Sequence, residues 1–118
     1  MPELPAPGDV VLVDFPGEQG VKRRPAVVLS TAVYHVSRPE VIVGLLTTNT
    51  AAATAQTDYT LKDWSGAGLH QQSAFRAYLV TMDQRDIRSV LGRLSVDDWA
   101  VVQERLSLAL AVEGQALE

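Results

Sequence analysis

Three consecutive cations, Lys22, Arg23 and Arg24, stand directly before Pro25 and the apolar run AVVLS, and two hydroxyls, Thr47 and Thr48, close a later run, VIVGLLTT. A guanidinium offers paired donors that match phosphate oxygens, and a threonine hydroxyl both donates and accepts. Arg76 and Tyr78 alternate within SAFRAYLVT, and Glu18 lies in the polar stretch that follows Phe15. These types suit phosphodiester chemistry. Metal-free RNA cleavage requires the ribose 2′-hydroxyl to attack the adjacent phosphorus in line, giving a 2′,3′-cyclic phosphate and a 5′-hydroxyl. It needs a proton acceptor, a proton donor and a group that holds charge on the phosphoryl oxygens. Arg24 and Arg76 fit the last task, and Thr47 can donate to the same oxygens or orient the 2′-hydroxyl. For the acceptor the sequence offers Glu18, His35 and His70, since an arginine with a pKa above about 12 is a poor proton carrier. Phe15, Tyr34 and Tyr78 provide ring faces for unstacked bases.

Each of these residues also has a plain structural reading. The basic triplet fits a solvated loop, the threonine pair fits β-propensity, and Arg76 fits a cross-sheet partner for an acid. Trp64 and Trp99 read as packing anchors for a turn and a helix.

The chain has 118 residues, 47% of them hydrophobic and 20% charged, as expected of one globular domain spanning 1–118. It has no cysteine, which excludes disulfides and thiolate metal sites. Two distant histidines and scattered acids show no ligand spacing, so neither metal nor cofactor is expected. No apolar run reaches the roughly 18 residues that span a bilayer, and MPELPAPGD lacks the pattern of a signal peptide. The expectation is a cytoplasmic protein without a membrane partner. The net charge is −4, and five acids after residue 96 against Arg105 carry all of it. A protein that coats phosphates is basic throughout, so nucleic-acid recognition here must rest on local patches: Lys22 to Arg24, Arg38, Arg76, and Arg85 with Arg88.

The elements that must position these groups follow from periodicity. GDVVLVDF (8–15) alternates as a strand, with Asp9, Val11 and Val13 on one face and Val10, Leu12 and Asp14 on the other. A functional loop of about ten residues is expected next, then a second strand, PAVVLST (25–31), with Pro25 as its first residue. YHVSRP (34–39) reads as a break. EVIVGLLTT (40–48), apolar on both faces, is a central strand in which Gly44 marks a bend or the close approach of another backbone. NTAAATAQT (49–57) connects to a short strand, DYTL (58–61), and DWSGAGL (63–69) to a turn. SAFRAYLVTM (73–82) is a strand, and Ile87 to Leu94 is strand or turn. Ser95 caps a helix in a weak capping box with Asp98. Trp99, Val102, Leu106 and Leu110 recur at helical spacing to an end near Gly114. Val101, Leu108 and Val112 widen that stripe toward a second subunit or the N-terminal tail. The whole describes a small bent sheet closed by a long C-terminal helix, mainly β with α.

GDVVLVDFP, KRRPAVVLS, GLLTTN, LKDWSGAGL, SAFRAYLVT and GRLS together resemble the PemK/MazF family of toxin endoribonucleases over nearly the entire chain. The resemblance implies an SH3-like barrel of the PemK/MazF/CcdB type and a homodimer. It also implies metal-independent cleavage of single-stranded RNA and a cognate antitoxin whose extended tail covers the RNA groove. Arg24 matches the catalytic arginine of the family's Arg-Pro motif and Thr47 the first residue of its threonine pair, with Thr48 beside it. Glu18 and Gln19 resemble a Glu-Gln pair in the first loop of some members, which puts Glu18 among the catalytic candidates. Phe15, Lys22, Arg23, Arg76 and Tyr78 fall to RNA binding. Many members carry an acid near the last arginine, where this chain has Ala77 and Tyr78. That departure keeps a second reading open: a non-catalytic binding module on the same fold, a degenerate toxin or a CcdB-like gyrase poison.

Overall fold

The computed structural model describes residues 4–17 and 20–112. Six strands, β1 (Asp9–Gly17), β2 (Gly20–Val28), β3 (Glu40–Thr47), β4 (Tyr59–Thr60), β5 (Ala74–Asp83) and β6 (Ile87–Arg93), form one antiparallel sheet in the order β4-β5-β3-β2-β1-β6. A short helix, α1 (Ala32–Ser37), joins β2 to β3, and α2 (Val96–Ala109) follows β6.

Because strand side chains alternate, each strand serves two cores. On the helix face Val10, Val27, Leu46 and Phe75 pack with Leu61, Ala67, Leu69, Leu94 and Val102. On the other face Val11, Val13, Ala26, Val28, Val41 and Val43 pack with Met82 of β5 and Ile87 of β6. Those two strands flank β3-β2-β1 on opposite sides, so their meeting requires the sheet to roll toward this second, inner face. The rings of Phe15 on β1 and Tyr78 on β5, with centroids 6.4 Å apart, close over the same side. The outcome is a curled half-barrel. Gly44 lies under the Phe75 ring, where a Cβ would come within 2.4 Å of it; the expected close approach is a side chain, not a second backbone.

Several boundaries differ from the sequence reading. β1 and β2 stay paired out to Gly17 and Gly20, so Lys22, Arg23 and Arg24 belong to a strand rather than a loop. Pro25 sits inside β2, opposite Leu12. It is tolerated because β2 pairs with β3 only from Ala26 onward, so this stretch is edge-like on one side. The segment read as a break holds α1, with His35 buried. α2 ends at Ala109, before Gly114, and Leu108, Leu110 and Val112 are exposed.

Ser95 caps α2 by accepting from Asp98 N at 3.0 Å. Asp98 itself does not complete a capping box. It is 1% exposed and accepts from Tyr59 Oη (2.6 Å), Lys62 N (3.2 Å) and Asp63 N (2.8 Å), tying the chain around β4 to the helix. Arg105, two turns further along the same face of α2, donates to the Asp58 carbonyl at 3.1 Å and lies over the Tyr59 ring.

Candidate RNA-binding and cleavage site

The site begins where the sheet forks. β2 and β3 are paired at Val28↔Val43, Val27↔Gly44 and Ala26↔Leu45, and there the ladder stops. Beyond that point β2 continues against β1 alone, and β3 continues to Thr47 against β5 alone. A β1–β2 prong and a β3–β5–β4 prong therefore flank the gap in the ladder, which is the candidate cleft. Running the register two residues further sets Arg24 opposite Thr47, both on the inner face by alternation.

Alternation also sorts the neighbours. On the first prong Phe15 and Lys22 pair directly and share the inner face with Arg24, whereas Arg23 pairs with Asp14 and points the other way. Asp14 Oδ1 accepts from Arg23 Nε at 3.1 Å, and Asp14 Oδ2 accepts from Arg88. Partial burial works against the Asp14 charge, but the hydrogen bonds and charges of Arg88 and Arg23 outweigh it and hold its carboxyl below the ordinary value. Arg23 thus does not join Arg24 in the cleft, because neighbouring residues on a strand face opposite sides.

On the second prong β5 carries a bulge. Gly44 pairs with Leu79 and Leu46 with Phe75, so Leu45 faces the three residues Arg76, Ala77 and Tyr78. Ala77 takes a φ of 53° and packs on the helix-face core. Arg76 and Tyr78 are exposed, and the Tyr78 ring meets Phe15. Thr47 Oγ1 accepts from Asn49 N at 3.1 Å, which orients its hydroxyl. Thr48 lies beyond the strand end and is exposed.

The charge pattern singles out one prong. Among the described residues, seven of the ten Lys and Arg side chains are in ion pairs, including Arg38 with Glu40, Arg85 with Asp83, Arg88 with Asp14 and Arg93 with Asp9. The patches at Arg38 and at Arg85 with Arg88 are thereby locally neutralised. Among the described residues only Lys22, Arg24 and Lys62 have no ion pair, and two of these stand on the inner face of the β1–β2 prong.

Of the proton acceptors, Glu18 lies outside the described residues. His35 is 3% exposed, its Nε2 lies 2.5 Å from Ser30 Oγ, and Ser30 in turn bonds to Ile42 N. Ile42 is five residues up β3 from Thr47, roughly 17 Å away at strand rise, so His35 is built into the opposite end of the sheet. His70 is exposed in the segment between β4 and β5.

The residue the sequence reading missed is Asp58. It stands one position before β4, is 8% exposed, and its Oδ2 lies 4.0 Å from Arg76 Nε. An antiparallel alignment of DYTL with SAFR would have set these opposite charges face to face.

Among the described residues no helix is long and apolar enough to cross a membrane. The curled antiparallel sheet with its C-terminal helix matches the fold of MazF toxins. Residues 6–110 match the family described as PemK-like, MazF-like toxin of type II toxin-antitoxin system, and the chain belongs to that family. MazF from Deinococcus radiodurans superposes with a TM-score of 0.73 at 26% identity, over 94% of this chain and 100% of that one. The MazE-MazF complex of the same organism gives 0.72 at 25% identity, over 98% and 100%. An endoribonuclease in complex with its cognate antitoxin, from a mycobacterial species, gives 0.75 at 18% identity, over 92% and 96%, a likeness of fold. No curated protein matches the sequence. The chain is a MazF-like toxin of a toxin-antitoxin system.

Proposed function

We propose that this toxin is a metal-independent endoribonuclease that cleaves single-stranded RNA, messenger RNA in the cell, in the cleft between the two prongs. What supports the reading is that β2 and β3 pair as far as Ala26↔Leu45, that Arg24 and Thr47 each lie two residues beyond and on the same face by alternation, and that Arg24 has no ion pair among the described residues. Arg24 holds the phosphoryl oxygens as charge builds on them, and Thr47 donates to the same group or aligns the 2′-hydroxyl. Lys22 neutralises a neighbouring phosphate. Phe15 and Tyr78, whose rings meet edge to face, receive unstacked bases. Arg76 contacts the RNA backbone from the second prong, Thr48 extends the contact, and Glu18 is the proton acceptor.

The single domain acts as a cytoplasmic homodimer and is held in check by a cognate antitoxin that covers the cleft. The feature that favoured a non-catalytic module, the lack of an acid beside Arg76, loses its weight because Asp58 faces that arginine from the neighbouring strand.

Expression of the unsubstituted chain is expected to arrest growth and fragment messenger RNA, and Arg24→Ala is expected to do neither. Purified protein should produce 5′-hydroxyl ends in the presence of EDTA. Equal toxicity from the Arg24→Ala chain, or cutting that stops on chelation, overturns the reading.

A further inference from the structure

Asp58 carries a charge that its local bonds do not require. Its Oδ2 accepts from Ala55 N at 2.9 Å and its own N donates to Ala55 O at 2.9 Å, closing the turn before β4. A neutral asparagine closes such a turn as well. A carboxylate taken out of water is costly, and a pair with a half-exposed arginine at 4.0 Å returns little stability. The charge must act on something else.

The cation that faces its carboxylate is Arg76, while Arg105 donates to its backbone carbonyl. Continuing the Tyr59↔Phe75 and Thr60↔Ala74 register by one residue places Asp58 opposite Arg76 on the inner face. Nε is the guanidinium nitrogen nearest the carboxylate, so the two terminal amino groups are left to reach phosphoryl oxygens. Asp58 is itself fixed from behind. Arg105 holds its carbonyl, and the buried Asp98 holds Tyr59, the next residue. A two-residue edge strand is thereby kept in register by the helix, and with it the carboxylate that faces the arginine.

We propose that Asp58 is a positioning residue, which holds the Arg76 guanidinium across the β4–β5 ladder with its terminal amino groups toward the scissile phosphodiester of bound RNA. The assignment rests on the ribonuclease reading. It also accounts for how this chain works with Ala77 and Tyr78 beside Arg76: the acid comes from the adjacent strand.

The test is a double-mutant cycle on RNA cleavage, with Asp58→Asn, Arg76→Ala and the double substitution in the full chain. Asp58→Asn keeps the size of the side chain and an oxygen for Ala55 N. It is expected to lower kcat roughly tenfold, the scale of a misaimed group, with KM and melting temperature nearly unchanged. In the Arg76→Ala background it is expected to add nothing. Full activity of Asp58→Asn overturns the assignment, as does an equal loss in both backgrounds, or tighter RNA binding at unchanged kcat.

If Asp58→Asn melts early, Arg76→Lys carries the test from the exposed side. It keeps the charge without the fork of donors, so a lower kcat at unchanged KM supports the assignment and full activity overturns it. Failure of the unsubstituted chain to cleave RNA overturns the ribonuclease reading and this assignment together. Cleavage by that chain alongside a fully active Asp58→Asn overturns the assignment alone.

Discussion

The two prongs of the cleft are held in opposite ways. The β3–β5–β4 prong is braced by buried polar bonds: Asp98 satisfies Tyr59, Lys62 and Asp63, Arg105 satisfies Asp58, and Asp58 faces Arg76. The β1–β2 prong is a two-stranded ribbon, braced at Asp14 on its outer face, with Lys22 and Arg24 unpaired on its inner face among the described residues. One prong is thus fixed by internal bonds, and the other presents charge that no side chain among the described residues neutralises. A polyanion gains most from groups that need not first give up a partner.

Loss of Arg24 separates the prongs most sharply. Arg24→Ala is expected to lower the RNA cleavage rate by about a thousandfold, on the scale of removing a preorganised charge stabiliser. Its denaturation midpoint should be unchanged, since the side chain is exposed and unpaired. A parallel loss of stability would show that Arg24 holds the ribbon together.

The opposite pattern is expected at Asp98. Asp98→Ala leaves three donors unpaired near the helix and should cost about 3 kcal/mol in urea unfolding. Burial works against the Asp98 charge, but hydrogen bonds from Tyr59, Asp63 and Lys62 outweigh it and hold its pKa below the ordinary value. The stability it contributes is therefore full above the ordinary carboxylate range and fades as pH falls through the lowered value. The gap in unfolding free energy between the unsubstituted chain and Asp98→Asn should stay constant from about pH 8 to 5 and narrow below about pH 4. A gap that widens in acid would break the comparison. Tyr59, pushed up to about 12 by burial and by its bond to Asp98, stays a donor throughout.

A smaller effect is expected at Thr47. Thr47→Ala should slow cleavage by about tenfold, and Thr47→Ser should retain most of the rate, because the hydroxyl is what both the Asn49 bond and the phosphate use. Equal rates for Ala and Ser would remove Thr47 from the chemistry. The smallest expected contrast lies within the basic triplet. Lys22→Ala should reduce the slope of RNA affinity against salt by about one ion, and Arg23→Ala should leave it unchanged because that side chain faces Asp14. An equal drop for both would mean the strand alternation is lost in the complex.

Most of the sheet was legible because its strands alternate cleanly and Gly, Pro and Ser mark their ends. β3, buried on both faces, and α2, with Ser95 at its start and Trp99, Val102 and Leu106 on one side, follow from periodicity alone. Pro25 misled because the rule that places proline at a strand's start covers only one of its permitted positions. Nothing local shows that β2 lacks a partner on that side. α1 was hidden by its β-branched valines, whose weak helix propensity is overridden when His35 packs into the sheet end. The association of Arg24 with Thr47 follows from the resemblance, and only the β2–β3 register, which ends two residues before them, gives it a geometry. Asp58 needed the register of β4 on β5, which no single strand carries.

The Phe75 ring lying across Gly44 has a consequence for how this toxin can vary. Phe75 precedes Arg76 in the chain, and its edge would collide with any side chain at position 44. A methyl group introduced there, far from solvent, would be felt at the surface as a turned arginine. On the ribonuclease reading, cleavage therefore constrains a buried residue that lies outside the proposed site.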